Sequence, residues 1–105
     1  MKLTWSRLAV SDRESIFDYI AADNVIAAIK LDELFQAKAS LLLADYPHIG
    51  RPGRVPGTRE FLVHRHYVFV YDIQQSQGRI RILRVLHTAL QYPPAKQRRS
   101  ARKSK

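Results

Sequence analysis

The stretch TREFLVHRHYVFVYDIQQSQGRIRILRVLH, residues 58–87, decides the fold of this chain. It contains three runs rich in valine, isoleucine, phenylalanine and tyrosine, at 59–64, 67–73 and 79–86. Such runs are typical of β-strands, and the polar segments between them are short. Because strands joined by short connections pair antiparallel, the stretch predicts an antiparallel three-stranded meander.

A first helix is predicted well ahead of these strands. Ser11 and Glu14 have the spacing of a capping box, in which a serine at the N-cap is followed three residues later by a glutamate. Apolar residues then follow at helical intervals. The helix is therefore expected to begin at Ser11, and a start at Ser6, preceded by a short strand over residues 3–5, is the alternative.

A second helix is predicted to begin at Asn24, a residue type that caps helix N-termini well. It is expected to end near Asp45, because Pro47 disfavours helical geometry in the residue before it. The apolar residues expected on its stripe are Ile26, Ile29, Phe35 and Leu42. The next segment, GRPGRVPG at 50–57, contains two Pro-Gly steps and indicates a turn-rich loop.

The predicted fold class is α+β, with a short N-terminal strand, an α-helical hairpin and then the three-stranded meander, the helices packing on one sheet face. A chain of 105 residues suffices for one hydrophobic core, so a single domain is predicted over residues 1–94. Residues 95–105 contain six lysines and arginines and almost no apolar side chains, which predicts a basic disordered tail.

The composition excludes several classes of protein. The chain has no cysteine, so neither disulfides nor thiolate zinc sites can form. No apolar run approaches the ~20 residues that span a bilayer, and the N-terminus has no signal-peptide core. Since no nucleotide-binding loop is present either, we expect a cytoplasmic protein without a metal or an organic cofactor.

Charge is distributed unevenly along the chain. Residues 1–50 hold five lysines and arginines against seven acidic residues, whereas residues 51–105 hold thirteen against two. A basic half of this kind favours a polyanionic partner.

Alternation along the last strand predicts which side chains share a sheet face. The residues expected to face the helices are Ile80, Ile82 and Leu86. Arg81 and His87 should then lie together on the uncovered face. Arg84 has the wrong parity for that face, unless a β-bulge turns it outward or its long side chain reaches the rim.

Three motifs together resemble the RelE/ParE superfamily of toxins from bacterial type II toxin–antitoxin operons. They are G-x-R-E at 57–60, HYVFVY at 66–71 and RVLH at 84–87, and their order and spacing extend the resemblance over residues 2–94. The resemblance implies the same α+β fold and a cognate antitoxin whose C-terminal segment wraps the toxin. It also implies a toxin–antitoxin complex that binds operator DNA through the antitoxin.

The superfamily includes members with different targets. RelE-like members cut transcripts in the ribosomal A site, which would make the ribosome and mRNA partners of this chain. ParE-like members poison DNA gyrase and hydrolyse nothing themselves. A third interpretation is a degenerate member that only binds its antitoxin.

Metal-independent RNA cleavage requires a proton-transfer group, fixed cations beside the phosphate and an aromatic ring for an unpaired base. The candidate catalytic residues of these types are His87, Arg81, Arg84 and Tyr92. The candidate substrate- and phosphate-binding residues are His64, Arg65, His66 and Arg59. His87 matches the terminal strand histidine that acts catalytically in some RelE-like toxins, whereas Val68 stands where RelE has an arginine.

The leading hypothesis from sequence is a ribosome-dependent mRNA endonuclease, an mRNA interferase. The alternative is a ParE-like gyrase inhibitor in which His87 is structural.

Overall fold

The computed structural model describes residues 1–89 and residue 92. Its helices are α1 (Arg7–Ala21) and α2 (Val25–Lys38), and α2 continues into a π-helical turn at Ala39–Leu43. Its strands are β1 (Lys2–Trp5), β2 (Arg51–Pro52), β3 (Arg59–His64), β4 (Tyr67–Gln74) and β5 (Arg79–His87). A short 3-10 turn, Gln75–Gln77, joins β4 to β5.

The five strands form one sheet in the order β1-β5-β4-β3-β2. β1 runs parallel to β5, and the other neighbouring strands are antiparallel. Side chains from both helices pack with strand residues in one core on one face of the sheet. The predicted α+β class, helical hairpin and antiparallel meander are therefore confirmed.

The first helix begins five residues earlier than the capping box suggested. Ser6 is the N-cap, and its hydroxyl accepts a hydrogen bond from the backbone N–H of Ala9 at 3.0 Å. The same hydroxyl donates to the carbonyl oxygen of Leu83 at 2.8 Å, which ties the start of α1 to β5. The alternative start is thus correct and the start at Ser11 is wrong, because Ser6 has a tertiary partner that no local pattern shows.

Asn24 caps α2 as predicted, since its side chain accepts a hydrogen bond from the N–H of Ala27. The predicted stripe is wrong in its first half, where Ile26 and Ile29 are 62% and 41% exposed. The residues of this helical segment that are buried are Ala28, Phe35, Ala39 and Leu43. The small side chains among them let α2 lie close to its neighbours, which a search for large apolar residues overlooks.

The turn-rich loop contains a short strand that the sequence did not predict. In β2, Arg51 pairs with Glu60 and Pro52 pairs with Arg59 of β3. Gly50, just before β2, is buried against Tyr71, whose hydroxyl accepts a hydrogen bond from the Gly50 N–H at 2.9 Å. A β-carbon at Gly50 would lie 2.6 Å from that hydroxyl oxygen, so the close approach requires glycine.

A β-bulge interrupts β5 at Leu83. Arg84 pairs with Val70 of β4, whereas Ile82 pairs with the next residue, Tyr71, so Leu83 is the extra residue. A bulge of this kind reverses the alternation of all the residues that follow it.

The faces on which the β5 side chains lie can be compared with those predicted from alternation. Ile80 and Ile82 lie in the core beneath the helices, as predicted, and Val85 joins them. Leu86 instead packs with Val68 and Val70 in a second cluster, so its predicted place on the helix side is wrong.

No helix within residues 1–89 combines the length and the apolar character needed to cross a membrane. The predicted basic tail, residues 95–105, and the predicted end of the domain at residue 94 lie outside the described residues.

Candidate functional site

Three histidines gather at the end of the sheet where the β3–β4 turn meets the last residues of β5. The ring centroids of His64 and His66 are 5.7 Å apart. The rings of His66 and His87 lie 5.6 Å apart and nearly parallel, at an interplanar angle of 11°. We call these three residues the histidine cluster. Arg65, at the tip of the same turn, is exposed beside it.

Backbone N–H groups donate hydrogen bonds to each residue of the histidine cluster. The Nδ1 atom of His64 accepts from the N–H of His66 at 3.2 Å, and the Nδ1 atom of His87 accepts from the N–H of Ala89 at 3.0 Å. The N–H of Thr88 donates to the carbonyl oxygen of His66 at 2.9 Å. The turn and the end of β5 are therefore linked both through the main chain and through the rings.

Tyr67 is a buried residue that lies beside the histidine cluster. Its ring centroid lies 5.3 Å from that of His87 and 6.0 Å from that of His64. Burial raises the pKa of the Tyr67 hydroxyl, and the nearby Tyr19 raises it further. Tyr67 is therefore neutral at physiological pH and presents an aromatic surface.

A groove of about 390 Å³ runs beside the histidine cluster, between α1 and the end of β5. Ile16 and Tyr19 line it from the helix, and Tyr67, Val85 and His87 line it from the sheet. The side chain of Tyr19 is 82% exposed. The groove thus has a mainly apolar and aromatic lining, which also includes Asp12, Ser15 and Arg84, and the ring of Tyr19 stands in solvent.

Arg84 reaches α1 instead of the histidine cluster. Its Nε and one terminal nitrogen donate to the carboxylate of Asp12 at 2.8 and 3.0 Å. The hydrogen bond from Arg84 to Asp12 raises the pKa of the guanidinium, against the opposing effect of burial. This cation is therefore already paired within the fold.

Arg81 lies on the sheet face opposite the helices, where it is also paired. It is the register partner of Asp72, and its guanidinium donates to that carboxylate at 2.7 and 3.1 Å. The hydrogen bond to Asp72 raises the pKa of Arg81. The prediction that Arg81 and His87 share one face is wrong, because the bulge at Leu83 lies between them and turns His87 towards Tyr67 on the helix side.

Arg59 stabilises the loop that precedes β2. One of its terminal nitrogens donates to the backbone carbonyl oxygens of His48 and Gly50. Its Nε is buried and makes no hydrogen bond within residues 1–89 and 92. The structure thus directs this guanidinium into the fold and away from the histidine cluster.

Tyr92 packs against the second apolar cluster, formed by Val68, Val70 and Leu86. This cluster lies on the sheet face opposite the helices, so Tyr92 and His87 lie on different sides of the sheet. Of the eight residues proposed from sequence, the structure brings together His64, Arg65, His66 and His87. It separates from them Arg59, Arg81 and Tyr92, and it holds Arg84 on Asp12.

The sequence gave no role to Asp12 and named Glu60 only as part of the G-x-R-E motif, although both carboxylates organise arginines. Glu60 is only 3% exposed and accepts hydrogen bonds from the backbone and side chain of Arg54, with Arg51 3.7 Å away. Burial by itself raises the pKa of Glu60, but these hydrogen bonds and the two cations together lower it below its ordinary value. For Glu60, the signal available in the sequence was an acidic residue within a run of strand-forming residues.

No group of three or more His, Asp or Glu side chains within the described part of the chain has an arrangement that could hold a metal ion.

Comparison with known proteins identifies the family. The family model for the ParE toxin of the type II toxin–antitoxin system parDE matches residues 3–92. A candidate toxin of Sinorhizobium fredii, Y4kP, is 32% identical over 93 residues, which cover 88% of this chain and 93% of that protein.

Two solved structures share the fold. The chromosomal ParDE toxin–antitoxin system from P. aeruginosa contains a chain that superposes with a TM-score of 0.69 at 27% identity, covering 83% of this chain and 95% of that one. The RelBE2 toxin–antitoxin complex of Mycobacterium tuberculosis contains a chain with a TM-score of 0.58 at 23% identity, covering 85% and 92%. The latter similarity supports the fold alone. With the family match over residues 3–92, the comparisons establish that this chain belongs to the ParE toxins of type II toxin–antitoxin systems, within the RelE/ParE superfamily.

Proposed function

We propose that this toxin inhibits growth by binding DNA gyrase, that it does not cleave RNA, and that a cognate antitoxin neutralises it. The observation that carries the proposal is the bulge at Leu83, which separates the candidate catalytic residues. His87 lies beside Tyr67 on the helix side of the sheet, whereas Arg81 and Tyr92 lie on the other side. A cleavage site needs its proton-transfer group and its phosphate-binding cations on the same phosphate.

The pairing of the two arginines supports the same conclusion. Arg81 and Arg84 each direct two nitrogen atoms at an aspartate of the same chain. A guanidinium has five N–H donors, and each of these arginines already gives its Nε–H and one terminal N–H to a carboxylate, which offsets its charge. Each cation is therefore held by an aspartate of the fold and is not directed at a phosphate next to His87.

The surface beside α1 is better suited to a protein partner. The groove of about 390 Å³ has a mainly apolar and aromatic lining in which the Asp12–Arg84 pair is internally satisfied, and the exposed ring of Tyr19 stands at its edge. Exposed tyrosines beside apolar grooves often contribute strongly to protein–protein binding. Gyrase is the target that the resemblance implies for ParE-like members, and ParE is the family that this chain matches.

The antitoxin is proposed from the same family relationship. Both solved relatives are described as toxin–antitoxin systems or complexes. Operator binding by the assembled pair would then depend on the antitoxin.

A second candidate function, ribosome-dependent mRNA cleavage, is favoured by the histidine cluster itself. Three imidazoles lie within 6 Å of a neighbouring imidazole, and Arg65 is exposed on the same turn. Imidazoles suit proton transfer to and from ribose and phosphate oxygens, and Arg65 could supply a cation. In this case the active residues would be His64, Arg65, His66 and His87.

Induction of the toxin in growing bacterial cells separates the two candidates. Under the proposal, the DNA damage response is induced and primer extension finds no new cuts within codons. His87→Ala should then weaken growth inhibition by at most about tenfold, as the loss of one contact at the edge of a binding surface would. Loss of a general acid or base would instead cost about 10²–10⁴-fold. His48→Ala, at a histidine outside the cluster, serves as the control. Cuts within codons that disappear in His87→Ala would overturn the proposal.

A further inference from the structure

The sheet face opposite the helices carries a row of apolar side chains. Leu62 of β3 pairs with Val68 of β4, which in turn pairs with Leu86 of β5, so the three residues lie side by side across the sheet. An antiparallel sheet face that meets only water ordinarily carries polar side chains. Val68 and Leu86 are buried, and Tyr92 packs against them. Leu62, by contrast, is 60% exposed, so one end of the row lies open.

A groove of about 460 Å³ lies beside this open end. Leu62 and Val68 line it from the sheet, and Ile49 lines it from the loop before β2. We call it the open-face groove. Because Ile49 and Leu62 are both large apolar side chains left exposed, the groove offers apolar surface that the side chains of a partner can bury.

The charged groups of the open-face groove carry a surplus positive charge. They are Arg51, Arg54 and the buried carboxylate of Glu60. Arg54 donates to both oxygens of that carboxylate. Arg51 stands 3.7 Å from the carboxylate, which is beyond hydrogen-bond distance, and its side chain is 77% exposed. The guanidinium of Arg51 is therefore available to a carboxylate from another molecule.

The open-face groove adjoins the groove beside α1 at the end of β5. Thr88 lines the open-face groove, and the residue before it, His87, lines the groove beside α1. A chain that is bound in the open-face groove as far as Thr88 is therefore close enough to obstruct the other groove. Binding on this sheet face can thus interfere with a target that binds beside α1.

We propose that the open-face groove binds a segment of the cognate antitoxin, which places a large apolar side chain on Leu62 and a carboxylate against Arg51. Exposed apolar surface beside a surplus positive charge matches such a segment. A nucleic acid would match the charge but would leave the leucine and the isoleucine unburied. The segment 95–105 of this chain is itself basic, so Arg51 would repel it. The inference rests on the antitoxin proposed above and not on the identity of the target.

Surface plasmon resonance with the purified cognate antitoxin and variants of the toxin tests the proposal. Leu62→Ser should weaken the affinity about tenfold or more, mainly through faster dissociation, because an apolar anchor is lost. Arg51→Gln should weaken it about threefold or more. The affinity of this second variant should also depend less on salt concentration, because one charged contact is lost.

Two matched substitutions outside the open-face groove serve as controls. Leu41→Ser removes a leucine that is 64% exposed, and Arg7→Gln removes an exposed arginine of α1. Both variants should bind the antitoxin as the original toxin does. These measurements need no gyrase, so they remain informative if the proposed target is wrong.

Three outcomes would overturn the proposal. One is unchanged antitoxin binding by both Leu62→Ser and Arg51→Gln. Another is an equal loss of binding in the two control variants. The third is a Leu62→Ser toxin that keeps its affinity for the antitoxin but no longer inhibits gyrase, which would make the open-face groove a surface for the target.

Discussion

The Asp12 carboxylate on α1 lies 2.8 Å from Nε of Arg84, and the same oxygen, Oδ2, accepts a hydrogen bond from the backbone N–H of Val85 at 2.9 Å. β1 pairs with β5 only as far as Ile82, so this carboxylate covers the outer edge of β5 beyond the end of β1. One acidic side chain thus fixes both an arginine and a strand edge. Arg84 consequently helps to hold β5 to α1.

Asp12→Asn should lower the free energy of unfolding by about 2–3 kcal/mol, because a partly buried cation loses its charged partner and the contact to the Val85 N–H is weakened. Asp72→Asn is a matched control, since Asp72 also binds an arginine of β5, at 2.7 Å, but makes that pair where Arg81 is 39% exposed. Asp72→Asn should lower the free energy of unfolding by less than about 1 kcal/mol. Urea unfolding of both variants measures the difference, and equal losses would contradict the role given to Asp12.

Glu60→Gln should destabilise the protein more at neutral pH than in acid. The pKa of Glu60 is lowered in the folded chain, so its ionised form stabilises the fold above the unfolded value of about 4.3, and this contribution is lost as pH falls through the lowered folded value. At pH 7 we expect the substitution to lower the free energy of unfolding by about 1–3 kcal/mol, because Arg51 and Arg54 lose their anionic partner.

Urea unfolding of the original chain and of Glu60→Gln at pH 7 and at pH 3 provides the measurement. The gap between the two proteins should narrow at pH 3. A gap of the same size at both values would show that Glu60 is not held ionised by Arg54 and Arg51.

Gly50→Ala should destabilise the fold by about 1–3 kcal/mol, because overpacking forces neighbouring atoms apart. The added β-carbon would lie 2.6 Å from the hydroxyl oxygen of Tyr71 and 2.8 Å from the carbonyl oxygen of Glu60, which is backbone and cannot easily move. Thermal unfolding measures the loss. An unchanged midpoint would show that the loop before β2 is not held as closely as described.

Tyr19→Ser should weaken growth inhibition without weakening the fold. The ring is 82% exposed at the edge of the groove, so its removal costs little stability, while loss of an aromatic anchor from an interface commonly costs about 2 kcal/mol, or roughly thirtyfold in affinity. Tyr46→Ser, at a tyrosine that is 62% exposed in the loop after α2, is the control and should leave toxicity unchanged. If both variants kept full toxicity, the groove would not be the target-binding surface.

Residue patterns predicted the elements of this fold well, and the reasons are local. The meander follows from runs of β-branched and aromatic residues, and β3 has the predicted bounds. Asn24 could be identified because an N-cap acts within three residues of its own position. The choice between Ser6 and Ser11 as the start of α1 could not be made from local pattern, since Ser6 makes a local cap with Ala9 and also contacts Leu83, 77 residues away.

The sheet face of His87 was predicted wrongly, and the cause is one residue. Counting alternate positions along β5 assumes a regular strand, and the bulge at Leu83 reverses the faces of everything after it. Arg81 was therefore assigned to the correct face and His87 to the wrong one. His64, Arg65 and His66 are consecutive residues of the β3–β4 turn, so the bulge in β5 does not change their distance from one another. The sequence could therefore place them together.

The most direct test of the central claim is DNA supercoiling by purified gyrase in the presence of the purified toxin. We expect the toxin to inhibit supercoiling, Tyr19→Ser to weaken this inhibition and the cognate antitoxin to relieve it. Unimpaired supercoiling, together with cleavage of mRNA when the same toxin is added to a translation reaction, would contradict the claim.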